Sequence, residues 1–276
     1  MNRLEQKLNE LHSANRKALV VFITAGFPDM ETTLATMEAL EKAGVDVIEI
    51  GVPFSDPIAD GPVIQASSDA ALKAGVTLES IFALMRRARQ KVRIPVLLMS
   101  YCNPLFAGGF GQTAKKARAS GVDGFIIPDL IPEEGKEIKA ACDKNNLSLI
   151  YLAAPNTPAG RLASIGRQSG GFVYVVSLTG VTGKRKALPQ DTKEFLLRTK
   201  KEIHRPRFLG FGISNAEQAG RLRQYVDGII VGSAFIELLK TAKTPRARAA
   251  KAARFASSLR RSIDMEEHNA RTSKHR

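Results

Sequence analysis

The sequence predicts an α/β fold, a single-domain (β/α)8 TIM barrel with an extra N-terminal helix and a basic C-terminal tail. Three observations carry this. Eight short runs rich in Val, Ile, Leu and Phe recur at 18–25, 45–51, 94–99, 124–128, 147–153, 172–177, 207–211 and 227–231. Each run is mostly unbroken rather than alternating, as expected of parallel strands buried on both faces. Helical patterns fill every gap between them, without a break in composition. A chain of 276 residues could hold two domains, but a barrel reaches this length as one.

The elements follow in order. Residues 2–11 read as a helix that closes the bottom of the barrel. The pattern at 29–43 puts Met30, Leu34, Met37 and Leu40 on one face and stops at Gly44. The second gap is long and holds two helices, 62–74 and 77–91, the latter opened by Thr77 in capping position. Helices at 112–120, 132–144, 158–168, 191–203 and 215–224 continue the alternation, with Ser214 placed to cap the last. A short helix, 234–239, follows the eighth strand. The final helix keeps Ala252, Phe255, Ala256, Leu259 and Ile263 on one face. The barrel is therefore assigned to 1–263, and 264–276 to a basic, disordered tail. An open doubly wound sheet is the rival fold. It would want a nucleotide-binding glycine turn after the first strand, where this chain has Ala25-Gly-Phe-Pro-Asp29. Gly108-Gly-Phe-Gly111 lacks the dinucleotide spacing and reads as a loop.

Composition narrows the function classes. Hydrophobic residues are 44% and charged residues 25%, as in ordinary globular proteins. No apolar run approaches the ~18 residues of a membrane helix. The polar N-terminus has no apolar signal region, so a cytoplasmic location is expected. Cys102 and Cys142 suggest neither a disulfide framework nor a metal spacing. His12, His204, His268 and His275 are scattered and expected at the surface. The net charge is +14, and residues 240–276 hold eleven basic residues against three acidic ones. A basic tail can hold nucleic acid or an acidic partner. No aromatic residues interleave those charges as single-strand binders require, so a solvated helix and frayed end is the preferred reading. The smaller positive excess elsewhere suits a phosphorylated substrate.

Barrel enzymes place reactive groups at the C-terminal ends of strands and on the loops that follow. That rule selects Glu49, near the end of the second run between Ile48 and Ile50. Desolvation there should raise its pKa toward a value useful for moving protons. The bland alternative is a buried Glu paired with Arg or Lys, but any such partner must come from a distant strand. Asp56 and Asp60 follow on a loop stiffened by Pro53 and Pro57. Two carboxylates facing one cavity can divide labour, one ionised and one carrying a proton. Asp56 reads as a turn residue beside Ser55. A metal held by Glu49, Asp56 and Asp60 is the other reading, but no His supports it and no metal is expected.

Glycines follow the last three strands. Leu178-Thr-Gly-Val-Thr-Gly-Lys-Arg-Lys-Ala187 reads as a mobile lid. Phe211-Gly212-Ile213-Ser214 and Gly232-Ser233 end the seventh and eighth runs. Bare N–H groups at a helix start bind phosphate, and barrels often do this after strands seven and eight. No Lys lies in any of the eight runs, which disfavours Schiff-base chemistry.

Taken together, the chain resembles the tryptophan synthase alpha chain family. The segment 48–61, IEIGVPFSDPIADG, matches its signature throughout. Thr24-Ala-Gly26, Ser100-Tyr-Cys-Asn-Pro104, Pro128-Asp129, Gly180-Val-Thr-Gly183, Gly210-Phe-Gly-Ile-Ser214 and Val231-Gly-Ser233 fall in family order. The resemblance runs from the N-terminal helix to about Lys240. It implies retro-aldol cleavage of indole-3-glycerol phosphate to indole and glyceraldehyde 3-phosphate. It implies that Asp60 accepts a hydrogen bond from the indole N–H, that Glu49 moves the protons, and that Tyr174 is the active-site tyrosine. Gly183, Gly212, Gly232 and Ser233 would hold the phosphate. Phe22, Ile64, Tyr101, Asp129 and Phe211 would line the indole site, and Thr182 would belong to a lid that contacts Asp60.

It further implies a beta-chain partner carrying pyridoxal phosphate, an alpha2beta2 heterotetramer, and no cofactor in this chain. The loop 53–60, the turn 103–106 and the lid are the expected contacts. The tail beyond Lys240 and Lys184-Arg-Lys186 in the lid depart from the family's pattern. Two alternatives remain open at this point: a stand-alone lyase with the same residues, and an idle barrel that binds nucleic acid or an acidic partner through its tail.

Overall fold

The computed structural model describes residues 1–176, 189–210 and 212–264. All described strands are parallel: β1 (Ala18–Thr24), β2 (Val47–Gly51), β3 (Val96–Met99), β4 (Gly124–Ile126), β5 (Ser148–Ile150), β6 (Leu152–Ala153), β7 (Val173–Val176), β8 (Arg207–Gly210) and β9 (Gly228–Val231). Their order is β5-β4-β3-β2-β1-β9-β8-β7-β6. The two ends of that order, β5 and β6, are one stretch of chain interrupted only at Tyr151. The Tyr151 N–H donates to the Ser169 side chain instead of the ladder, at 3.1 Å. Its carbonyl still accepts from the Tyr174 N–H at 3.0 Å. The sheet therefore closes on itself with eight staves, the fifth one split. Each stave corresponds to one apolar run of the sequence.

Twelve described helices surround the staves: α1 (Arg3–Ser13), α2 (Met30–Lys42), α3 (Pro62–Lys73), α4 (Leu78–Ala88), α5 (Cys102–Phe106), α6 (Phe110–Ala119), α7 (Lys136–Lys144), α8 (Ala159–Gln168), α9 (Gln190–Glu202), α10 (Ala216–Leu222), α11 (Ser233–Lys240) and α12 (Pro245–Asp264). Their starts are chemically marked. Asn2 and Glu5 form a reciprocal capping box, as do Thr77 and Ser80, and the Asp29 side chain accepts from the Thr32 N–H.

Three differences from the sequence reading have identifiable causes. The one-turn helix α5 was expected to be loop; its first N–H groups need an acceptor, and the distant Asp129 carboxylate supplies one to Cys102 at 3.0 Å. The helix expected from residue 132 starts at Lys136. Before it, Glu134 and Gly135 donate to Ile131 and Pro132 in tight turns. At Gly135 any side chain would collide with the Tyr151 hydroxyl. The cap expected at Ser214 belongs to Asn215, whose side chain accepts from the Gln218 N–H at 2.9 Å.

The lower end of the barrel is closed by α1. Leu4 is fully buried against Gly171, the Asn2 amide donates to Ser148 Oγ at 2.8 Å, and Arg3 reaches Asp123 at 2.7 Å. Helix α12 buries Ala252, Ala256, Leu259 and Ile263 and packs along α2 and α10. Its charges are not all solvated, as the sequence reading preferred. Arg260 donates to the buried Asp46 at 2.8 Å, and Arg248 to Asp29 at 3.0 Å. Lys243, Arg246, Arg254 and Arg261 remain exposed. The tail residues 265–276 lie outside the described residues. Both cysteines are free thiols, and His12 and His204 are exposed. Among the described residues no helix is long and apolar enough to cross a membrane.

Candidate active site

Alternation along β2 sends Val47, Glu49 and Gly51 to one face and Ile48 and Ile50 to the other. Glu49 lies at the centre of this five-residue strand rather than near its end, paired in register with Phe22 on β1 and Leu97 on β3. Its exposure is 0%. Neither carboxylate oxygen has a hydrogen-bond partner among the described residues. Burial without compensation pushes its pKa up to about 8. At neutral pH such a group holds a proton.

Asp60 ends the loop between β2 and α3. The loop is built from short turns, with Ile58 donating to the Asp56 carbonyl and Asp60 to that of Pro57. Tyr101, just past β3, clamps it. The Tyr101 hydroxyl donates to Asp60 Oδ2 at 3.1 Å and accepts from the Ala59 N–H at 2.9 Å. Partial burial pushes the Asp60 pKa up to about 6, opposed by that hydrogen bond. Asp60 is thus charged at pH 7 while Glu49 is not. Asp56 is exposed and accepts from the Ser55 hydroxyl, as a turn residue does.

Tyr174, on β7 across the barrel, is buried, and its pKa is raised first by burial and then by the charges of Glu49 and Asp60. Its ring occupies space that only a glycine at position 210 leaves open. Gly51 makes room for the Phe22 ring in the same way. Helix α3 is fixed above β1 by the hydrogen-bonded Thr24 and Ser67 hydroxyls, 2.6 Å apart, which sets the place of Ile64.

Phe22, Asp60, Ile64 and Tyr174 line a cavity of about 150 Å³. Of the residues singled out from the sequence, it brings together Phe22, Asp60, Ile64, Tyr174, Gly212, Gly232 and Ser233. One part is apolar, adding Met99, Ile213 and Ile230. Sequence reasoning missed these three. The signal was present, since Met99 and Ile230 sit in the upper parts of β3 and β9, but an apolar residue in an apolar run does not stand out. The other part is the start of α11. Gly232 is the N-cap there and brings no capping side chain. Phe235 and Ile236 donate to the Gly232 carbonyl, so the N–H groups before them open the helix without an acceptor inside it.

Two assignments to the cavity wall change. Tyr101 stands behind Asp60 and holds it, and Asp129 is exposed and caps α5. Neither they nor Glu49, which lies deeper in the barrel wall, are among the described residues that line the cavity. Thr182, Gly183 and Phe211 lie outside the described residues, as does Lys184-Arg-Lys186. Among the described residues no three His, Cys, Asp or Glu side chains gather as metal ligands would.

A sequence model of the family described as "Tryptophan synthase alpha chain" matches residues 8–264. The chain belongs to the tryptophan synthase alpha chain family. Its relative from Citrifermentans bemidjiense is 46% identical over 237 residues, 86% of this chain and 89% of that one. That from Geobacter sulfurreducens is 43% identical over 263 residues, covering 95% and 99%. The solved tryptophan synthase subunit alpha of Legionella pneumophila superimposes with a TM-score of 0.88 at 36% identity, over 96% of this chain and 99% of that one. A chain of Mycobacterium tuberculosis tryptophan synthase gives 0.86 at 34% identity, over 96% and 99%. Membership assigns a lyase role in tryptophan synthesis and implies a beta-chain partner. It favours the first of the three functional readings over a stand-alone lyase or an idle barrel.

Proposed function

We propose that this chain cleaves indole-3-glycerol phosphate to indole and glyceraldehyde 3-phosphate by a retro-aldol step. The carrying observation is the pair of acids that both act on Tyr174: buried Glu49, without a hydrogen-bond partner among the described residues, and charged Asp60, which with Tyr174 lines a cavity that ends on an uncapped helix start. Phosphate binds at Gly212, Gly232 and Ser233 through backbone N–H groups, with Gly183 closing from the lid. The indole ring lies against Phe22 and Ile64, with Phe211 and Thr182 adjoining. Its N–H donates to the Asp60 carboxylate. Protonated Glu49 delivers its proton to ring carbon C3, and Asp60 offsets the positive charge that develops on the ring. The Glu49 carboxylate then takes the proton of the hydroxyl on the adjoining glycerol carbon. The carbon–carbon bond breaks, its electron pair returns to the ring, and the hydroxyl carbon becomes the aldehyde. Tyr174 packs beside both acids and orients the ring. Tyr101 and Asp129 act at one remove, through Asp60 and through the loop after β3.

The chain works without a cofactor, in the cytoplasm, as half of an alpha2beta2 assembly whose beta chain carries pyridoxal phosphate. Exposed Ile58 (84%), Phe106 (44%) and Ile131 (40%), on the loops after β2, β3 and β4, support a partner on this face. The catalytic unit is 1–263, with 264–276 a basic extension. Indole formation by purified chain, with and without a beta chain, tests the reading. Glu49→Gln and Asp60→Asn should each lower the rate about 10²–10⁴-fold with the fold intact. Near-normal rates in both variants would sink the mechanism.

A further inference from the structure

The opposite end of the barrel holds a larger cleft, of about 580 Å³, between the end of α1, the start of β1 and the connection from α9 to β8. Leu11, Ile203, Pro206 and Phe208 give it an apolar floor. Arg16, Lys17, Lys200, Arg205 and Arg207 surround that floor, with Asp227 as the sole carboxylate among the described lining residues. His12 and His204 stand beside them.

The charges are partly organised already. Asp227 is shared, lying 3.2 Å from the Arg207 guanidinium and 3.8 Å from Lys17. Arg205 donates through Nε to the Gly166 carbonyl at 3.1 Å, which anchors its guanidinium. Arg16 reaches Asp264 only at 3.4 Å, and Lys200 has no ion-pair partner among the described residues. Five cations against one carboxylate around one concave cleft repel one another and leave a positive field there. Folding does not require such a surplus. Elsewhere on the same end Asp123 and Asp46 are each matched by arginines.

We propose that this cleft binds a small organic polyphosphate, its phosphates on the cations and its apolar body on the floor. Several cations call for several negative charges; Arg207 is committed to the Tyr225 carbonyl and Asp227, so the exposed Arg16, Lys200 and Arg205 are the groups that reach phosphate oxygens. The volume falls in the ~300–1,000 Å³ range of small-molecule pockets. The site is separate from the carboxylate cavity and does not depend on the reaction assigned to that cavity.

Calorimetric titration of the full chain with adenosine triphosphate, in saturating glyceraldehyde 3-phosphate, tests this. The expected result is one saturable site per chain that weakens at least tenfold in Lys200→Glu and further in Arg16→Glu/Lys200→Glu. Affinity should fall with added salt, because exposed charges are screened. Inorganic tripolyphosphate should bind more weakly, since it leaves the floor uncovered. Indole formation without nucleotide should be the same in both variants as in the parent chain. No saturable binding, unchanged affinity in the variants, equal affinity for tripolyphosphate, or displacement by glyceraldehyde 3-phosphate would each overturn the proposal.

Discussion

Two buried carboxylates on the same side of the barrel have opposite surroundings. Asp123, at the lower start of β4, accepts from Arg89 at 2.6 Å, from Arg3 at 2.7 Å and from the Val96 N–H at 2.8 Å. Glu49, two staves away on β2, is as deeply buried and accepts from none of the described residues. Both positions exclude water, so both carry the desolvation cost of a charge. At the lower end arginines offset that cost, and the carboxylate becomes part of the framework. In the middle of the barrel nothing offsets it, and the carboxylate keeps its proton. The contrast separates an acid that holds the fold from one available for chemistry.

The largest effect should come from exchanging the two fates. Asp123→Ala strands two guanidinium groups, one of them mostly buried, and should cost about 3–5 kcal/mol in denaturant unfolding. Glu49→Gln should cost nothing comparable at pH 7, because a neutral amide replaces a group already neutral there. Equal losses in the two variants would erase the distinction.

The next effect is on pH dependence. The native pKa of Glu49 lies above that of the unfolded chain, so the stability linked to its proton is fully present below about 4.5. It is lost as pH rises through about 8. The parent chain should therefore lose stability relative to Glu49→Gln between those values. The proposed mechanism needs Asp60 charged and Glu49 protonated. The kcat/KM profile should then be a bell with limbs near 6 and 8, and Asp60→Asn should remove the acid limb. A profile flat from pH 5 to 9 would contradict the assignment.

The smallest effect concerns the clamp on Asp60. The Tyr101 hydroxyl lowers the pKa of Asp60, so Tyr101→Phe should move the acid limb to higher pH by less than about one unit. A packing role alone would lower activity without moving the limb.

The sequence pointed to Glu49 by its place in a mostly apolar run and to Asp60 by its place on the loop that follows; Asp46 stands in the same run, and only the fold shows Arg260 paired with it. Glycines at 212 and 232 were legible by their place after strands. What escaped notice was long-range. The break at Tyr151 depends on the Ser169 hydroxyl, and α5 depends on Asp129. Tyr101 and Asp129 were placed on the wall from the resemblance, whereas their hydrogen bonds turn them toward the loops. The apolar wall residues Met99, Ile213 and Ile230 were hidden among similar neighbours.

By itself, then, the order of apolar runs and capped helices determined a closed barrel. A parallel strand buried on both faces needs cover on each side; an open doubly wound sheet also provides it, and the absence of a nucleotide-binding glycine turn after the first run is what favoured the ring. Tertiary structure alone decided which charges are paired. Arg3, Arg89 and Arg260 lie far in sequence from the acids they neutralise. Whether a buried carboxylate is framework or proton carrier depends on which cation, if any, the fold brings within about 3 Å.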